Sequence, residues 1–212
     1  MRRDYFILTL AEIEKYLSQL NGFDNTKAYE LAFAYILVRF HEKQTGQKLK
    51  IALPAKESIK EGVSLAEVLR KKIAEDHDVD AFLIPHDLDG FDRKKHKAGA
   101  FQFKKFTFEK NEGVEKLLKY LTYEIPRKYQ PAGEGILALL IKGDLHISKG
   151  DFEKLNSALN AIPDYPFGRV MFIAGKDKDR ISFGDLFPSW GHKTYSYDEW
   201  FSDDTEDSRI VS

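Results

Sequence analysis

The sequence predicts a mixed α/β fold, one β-sheet covered by helices on both faces, and three observations carry that expectation. Ala100–Phe108 (AFQFKKFTF) alternates aromatic and polar residues, the pattern of a strand with two different faces. Gly135–Ile141 (GILALLI) and Arg169–Ala174 (RVMFIA) are continuously apolar, which suits strands buried on both sides. Helical segments precede both of these runs, so an early strand hairpin is followed by strand–helix–strand units.

Composition agrees with such a core. The chain has 212 residues, 42% of them hydrophobic and 13% aromatic, with 16 Phe and 10 Tyr. That is too apolar for a disordered chain. It has no Cys, which excludes a disulfide framework and any thiolate metal site. No apolar run approaches the 20 or so residues of a membrane-spanning helix. The start, MRRDYFILTLAEIEKYL, lacks the long apolar stretch and small-residue cleavage site of a signal peptide, and reads as a first amphipathic helix. The expected location is therefore the cytoplasm. No linker divides the chain, so 1–212 is expected to form a single domain.

Taken in order, Thr9–Leu20 has Leu10, Ile13, Leu17 and Leu20 at helical spacing and is closed by Asn21–Gly22. Asp24 or Asn25 can cap a second helix, Thr26 to about Lys43, whose Tyr29, Phe33, Ile36, Leu37 and Phe40 form an apolar face. Gly46 ends it. Lys48–Leu53 alternates as a strand, and Pro54 should stop it. Val63–Glu75 reads as a helix with a Ser64/Glu67 capping box. Asp80–Pro85 (DAFLIP) is a short apolar strand. Polar His86–Gly99 then forms the long tip of a hairpin with Ala100–Phe108. Val114–Tyr129 is helical, with Pro126 ending or kinking it. Between the two buried strands, Asp151–Ala161 reads as a helix capped by Asp151. Trp190, Tyr195, Tyr197 and Trp200 suggest a C-terminal segment docked on the body, and about 198–212 reads as an acidic solvated tail.

Several chemistries lack their residues. There is no G-x-G-x-x-G, no phosphate-loop G-x-x-x-x-G-K-[ST] and no G-x-S-x-G elbow. The scattered His residues have no metal-binding spacing. One constellation remains. Gln102 and Lys104 share one face of the aromatic strand, while Phe101 and Phe103 face the other way. Asp80 opens the partner strand and can lie near both. A carboxylate with an amide oxygen makes a hard-oxygen site suited to Mg²⁺ or Mn²⁺. Glu30, mid-helix beside apolar neighbours, could add a second carboxylate.

Glu30 in AYELAFAYIL, Asp80 in VDAFLI, and Gln102 and Lys104 in AFQFKKF together resemble the PD-(D/E)XK nuclease superfamily, in its Mrr-like Q-x-K variant. That superfamily places a Glu on the first core helix, an Asp on the second core strand and (D/E)xK on the third. The resemblance covers roughly 26–141. It implies a restriction-endonuclease-like αβββαβ core, here with Val63–Glu75 as an inserted helix and an extension after Lys142, the whole core reaching about 174. It further implies a divalent-metal-dependent nuclease that hydrolyses phosphodiester bonds in DNA. Asp80, Gln102 and Glu30 would hold Mg²⁺ or Mn²⁺, and Lys104 would assist the attacking water. Domains of this kind often act as homodimers. Asp87, Asp89 and Asp92 in HDLDGFD are rivals for the metal-binding Asp, Asp89 foremost, although Asp89–Gly90 is also ordinary turn chemistry. A non-catalytic nucleic-acid-binding or structural protein on the same fold is the alternative, since Gln is neutral where a carboxylate is usual.

Charge distribution is consistent with a phosphate partner. Net charge is −1, but residues 1–110 hold 20 cations against 17 acids, and the remainder 13 against 17. Arg93, Lys94, Lys95 and Lys97 cluster at the hairpin tip, where they could contact phosphates or simply solubilise the loop.

Overall fold

The computed structural model describes residues 3–18, 26–59, 79–88, 90, 91, 95, 98–108, 113–130, 135–142, 147–177 and 179–196. They form one eight-stranded mixed sheet with helices on both faces. The strands are β1 (Arg3–Leu8), β2 (Leu49–Ile59), β3 (Ala81–Pro85), β4 (Gly99–Thr107), β5 (Ile136–Lys142), β6 (Arg169–Asp177), β7 (Arg180–Phe187) and β8 (Gly191–Ser196). The helices are α1 (Leu10–Ser18), α2 (Thr26–Thr45), α3 (Val114–Lys119, continued through Tyr120–Glu124 to Ile125–Lys128) and α4 (Lys149–Asn160). Strand order across the sheet equals chain order. Neighbours run antiparallel from β1 to β4, parallel across β4–β5–β6, and antiparallel again to β8.

Strand alternation divides the core in two. One face carries Ile51, Leu53, Ala81, Phe101, Phe103, Ala138, Met171, Ile173, Ile181 and Phe183 against Ile13 of α1 and Leu31, Phe33, Ala34, Leu37 and Val38 of α2. The other carries Phe106, Leu137, Leu139, Ile141, Val170 and Phe172 against Leu117, Leu121 and Ile125 of α3 and Phe152, Leu155 and Leu159 of α4. Toward β1 that second face holds a separate small cluster of Ala52, Val79, Phe82 and Ile84, with Tyr5 and Phe91 packed on it. β5 is sandwiched as its continuous apolar run implies, for Leu137, Ala138 and Leu139 are all fully buried.

Four features differ from the sequence reading. The segment before α1 is a strand rather than part of the helix. Tyr5–Leu8 pairs with Ile51–Pro54, and Thr9 and Glu12 exchange hydrogen bonds that start α1 after it. Second, β2 runs through Pro54 to Ile59. Tyr5 sits opposite Pro54 while Arg3 sits opposite Ile59, so β2 carries the extra residues of a register shift that starts at Pro54, the kind of irregularity at which a strand accepts proline. Third, α4 is capped by Ser148. Its Oγ accepts from Asp151 N at 3.2 Å, while Asp151 Oδ2 accepts from Ser148 N at 2.9 Å, so Asp151 is the reciprocal member of a capping box and not the cap. Hydrogen bonding to Ser148 holds the Asp151 carboxyl below its usual value.

Fourth, the aromatic C-terminal stretch continues the sheet as β7 and β8. Gly184 makes this hairpin fit, since a Cβ there would collide with Gly191 O and stand 2.7 Å from the Phe172 ring. Asn156 and Asn160 of α4 tie the connecting turn by donating to Pro188 O at 2.8 and 2.9 Å. Tyr195 does pack on the body, against Phe40 and Phe183, and Trp190 stacks on Phe152. The proposed helix Val63–Glu75, residues Tyr197 and Trp200, and the acidic tail lie outside the described residues.

Pro126 acts through the turn before it. Without an N–H it cannot continue the α-ladder, and residues Tyr120–Glu124 adopt a π turn in which Ile125 N–H donates to Tyr120 O. The helix then stops at Lys128, and Tyr129 is extended.

Candidate functional site

β3 and β4 bring Asp80 and Gln102 together. Their last pair is Ala81 with Phe101, so Asp80 stands one step past the end of the ladder, beside Gln102. Asp80 N–H still donates to Phe101 O at 2.8 Å. Its carboxylate then takes the place of the missing strand: Oδ2 accepts from Phe103 N–H at 2.7 Å and from Gln102 Nε2 at 2.5 Å. The Gln102 amide is thereby oriented, since the reverse orientation would set its oxygen against a carboxylate oxygen.

Gln102 is only 3% exposed, and with Nε2 committed to Asp80 its Oε1 is left buried without a hydrogen-bond partner. Leaving such an oxygen unmet in an apolar interior costs about 1–3 kcal/mol. No other buried side-chain N or O atom among the described residues shares that condition.

Lys104 lies two residues along β4, on the same face as Gln102. It is half-buried, and its Nζ stands 5.7 Å from the centre of the Tyr129 ring. Ala100, two residues before Gln102, packs with the small cluster near β1, while Leu137, opposite Gln102, belongs to the α3/α4 cluster. Asp80, Gln102 and Lys104 thus make a polar seam between two apolar clusters of one sheet face.

Glu30 approaches from the other side. It is half-buried on α2, one turn before Phe33, whose ring lies 5.1 Å from that of Phe103. α2 packs on the opposite face of the sheet from Gln102. Among the described residues, no group of three His, Cys, Asp or Glu side chains could hold a metal ion. Of the rival acids, Asp87 is exposed beyond the end of β3 remote from Gln102, while Asp89 and Asp92 lie outside the described residues. Of the basic cluster, Lys95 is exposed, and Arg93, Lys94 and Lys97 lie outside the described residues.

Two parts of the arrangement were not anticipated from sequence. Phe103 contributes a backbone N–H, which no side-chain pattern reveals. Tyr129 reaches Lys104 because Pro126 ends the helix just before it. No helix of the described residues is long and apolar enough to cross a membrane. Set beside known proteins, the chain matches no family model, no curated protein and no solved structure.

Proposed function

We propose that the Asp80–Gln102–Lys104 seam is the active site of a divalent-metal-dependent nuclease that hydrolyses phosphodiester bonds, with DNA as its substrate class. One observation carries the reading: a buried amide oxygen without a partner, Gln102 Oε1, stands beside the Asp80 carboxylate on the face shared by Lys104. A hard cation is one of the few partners that would satisfy both groups. The succession α2–β2–β3–β4–α3–β5 supports the same reading, because it follows the αβββαβ order with one helix on each face.

Asp80 and Gln102 are suited to hold Mg²⁺ or Mn²⁺, while Glu30, on the helix that packs on the opposite face of the sheet, is not placed to join them. Such an ion, when bound, lowers the pKa of water and neutralises charge on a phosphate. Lys104 carries three donors and no acceptor, so its part is to donate to a phosphate oxygen or to orient the attacking water. Lys95, exposed in the connection that leaves β3 at the end remote from Gln102, would meet the phosphate backbone away from the metal ligands, and Arg93, Lys94 and Lys97 of the same sequence segment carry like charge.

The test is cleavage of DNA by the purified chain with millimolar Mg²⁺ or Mn²⁺. Lys104→Ala should lower the rate about 100-fold or more with the unfolding midpoint unchanged. Metal-dependent cleavage that survives the substitution overturns the assignment.

A second reading has its own observation. Asp80 Oδ2 already accepts two hydrogen bonds from β4, which is what a purely structural clasp at a strand end would do. On that reading the protein is a non-catalytic nucleic-acid-binding or structural protein on the same fold. Titration calorimetry separates the two, since a clasp gives no heat with millimolar Mg²⁺ or Mn²⁺.

A further inference from the structure

We infer that Tyr129 is the positioning residue for Lys104, an inference that rests on the reading of Asp80, Gln102 and Lys104 as one site. A lysine side chain has four rotatable bonds, and on a strand face it would sample many positions unless something holds its end. Here the ammonium stands 5.7 Å from the centre of the Tyr129 ring, within the range in which the negative face of an aromatic ring attracts a cation. The partial burial of Lys104 strengthens that attraction by excluding solvent.

The ring itself is fixed. Tyr129 is 8% exposed, packs edge-on against Phe167 at 5.3 Å, and has its N–H bonded to Ile125 O at 3.1 Å. Its place is set by the helix stop. After Pro126 the chain leaves the helix, and Tyr129 turns extended at the margin of the α3/α4 core. The π turn inserts an extra residue into the helix just upstream, and so sets which residue follows the stop. Backbone geometry in α3 therefore determines where the end of a β4 side chain stands. The ring face, and not the hydroxyl, does the holding, so Phe should replace Tyr129 and an aliphatic residue should not.

The experiment reads Lys104 directly. Reductive ¹³C-methylation of the lysines gives each one methyl resonance, and Lys104→Arg identifies the signal of Lys104 by its disappearance. A cation over a ring face is shifted upfield by the ring current. We expect the Lys104 signal to lie upfield of the exposed lysines in the parent chain and in Tyr129→Phe, and to move to the exposed-lysine position in Tyr129→Leu. Unchanged positions of the other lysine signals report that Tyr129→Leu is folded. In the cleavage assay, Tyr129→Phe should stay within about twofold of the parent and Tyr129→Leu should lose about tenfold. An unshifted Lys104 signal in the parent, or one that stays shifted in Tyr129→Leu, overturns the inference and leaves the nuclease reading standing. A shifted signal that behaves as expected, in a chain that cleaves no nucleic acid with either metal, supports the placement of Lys104 and overturns the nuclease reading instead.

Discussion

Gln102 is the residue at which packing and chemistry disagree. Asp80 bonds its amide nitrogen, its neighbours in the two clusters of that face are apolar, and its own oxygen has no partner. Gln102→Glu makes the disagreement measurable. The substitution replaces the 2.5 Å amide–carboxylate bond with two carboxylates facing each other. Without a divalent ion the unfolding free energy should fall by about 1–3 kcal/mol. With millimolar Mg²⁺ or Mn²⁺ the loss should be recovered, because the cation then bridges two charges instead of one. Urea midpoints with and without metal check this, and an equal loss in both conditions counts against a metal at this position. The pairing of Asp80 with Gln102 was legible in the sequence from two strands and a hairpin. Which atom of the amide would face the carboxylate was not, since that depends on a local bond geometry and not on residue type.

Among the elements, α2, β3, β4, β5 and β6 were readable because each has a clean period or a continuous apolar run. β1, β7 and β8 were missed for physical reasons. Tyr5–Leu8 is four apolar residues in a row, with no period to tell strand from helix, and its pairing partner lies more than 40 residues away. Arg180–Ser196 mixes aromatic, polar and glycine residues, and its strand character comes from the edge it extends rather than from its own pattern. Gly184 shows how closely that edge is fitted. Gly184→Ala would push a methyl group against Gly191 O and against Phe172 and His192, and should cost about 1–3 kcal/mol or more, read as a lower denaturation midpoint. Little change would mean that β8 is held far more loosely than its register with β7 indicates.

For the whole molecule, the α3/α4 core of the second face brings Tyr120, Tyr129 and Tyr165 into one cluster. Burial pushes the Tyr120 phenol up to about 12, with Tyr129 and Glu124 adding to the effect. Burial raises Tyr165 further, and its hydroxyl donates to Leu121 O at 3.1 Å. A raised acid is neutral in the folded state at a pH where the unfolded chain has already ionised. The stability these groups contribute is complete below pH 10 and is lost as pH rises toward 12 and beyond. Denaturation midpoints should therefore fall steeply between those values, with a step in tyrosinate absorbance that coincides with unfolding. Tyrosinate that forms gradually while the fold persists would show that this cluster is open to solvent.

The order of the strands has a consequence for how the protein is made. Each strand from β2 onward lies beside the one that precedes it in the chain. Among the described residues no strand waits for a later segment to be inserted between it and its predecessor. A chain leaving the ribosome can add edge to edge in the order of synthesis, with Asp80 and Gln102 brought together once β4 pairs with β3 and before β5 is added beside β4. The growing sheet then always has a single fresh edge, and β8 is the last of these that the described residues lay down.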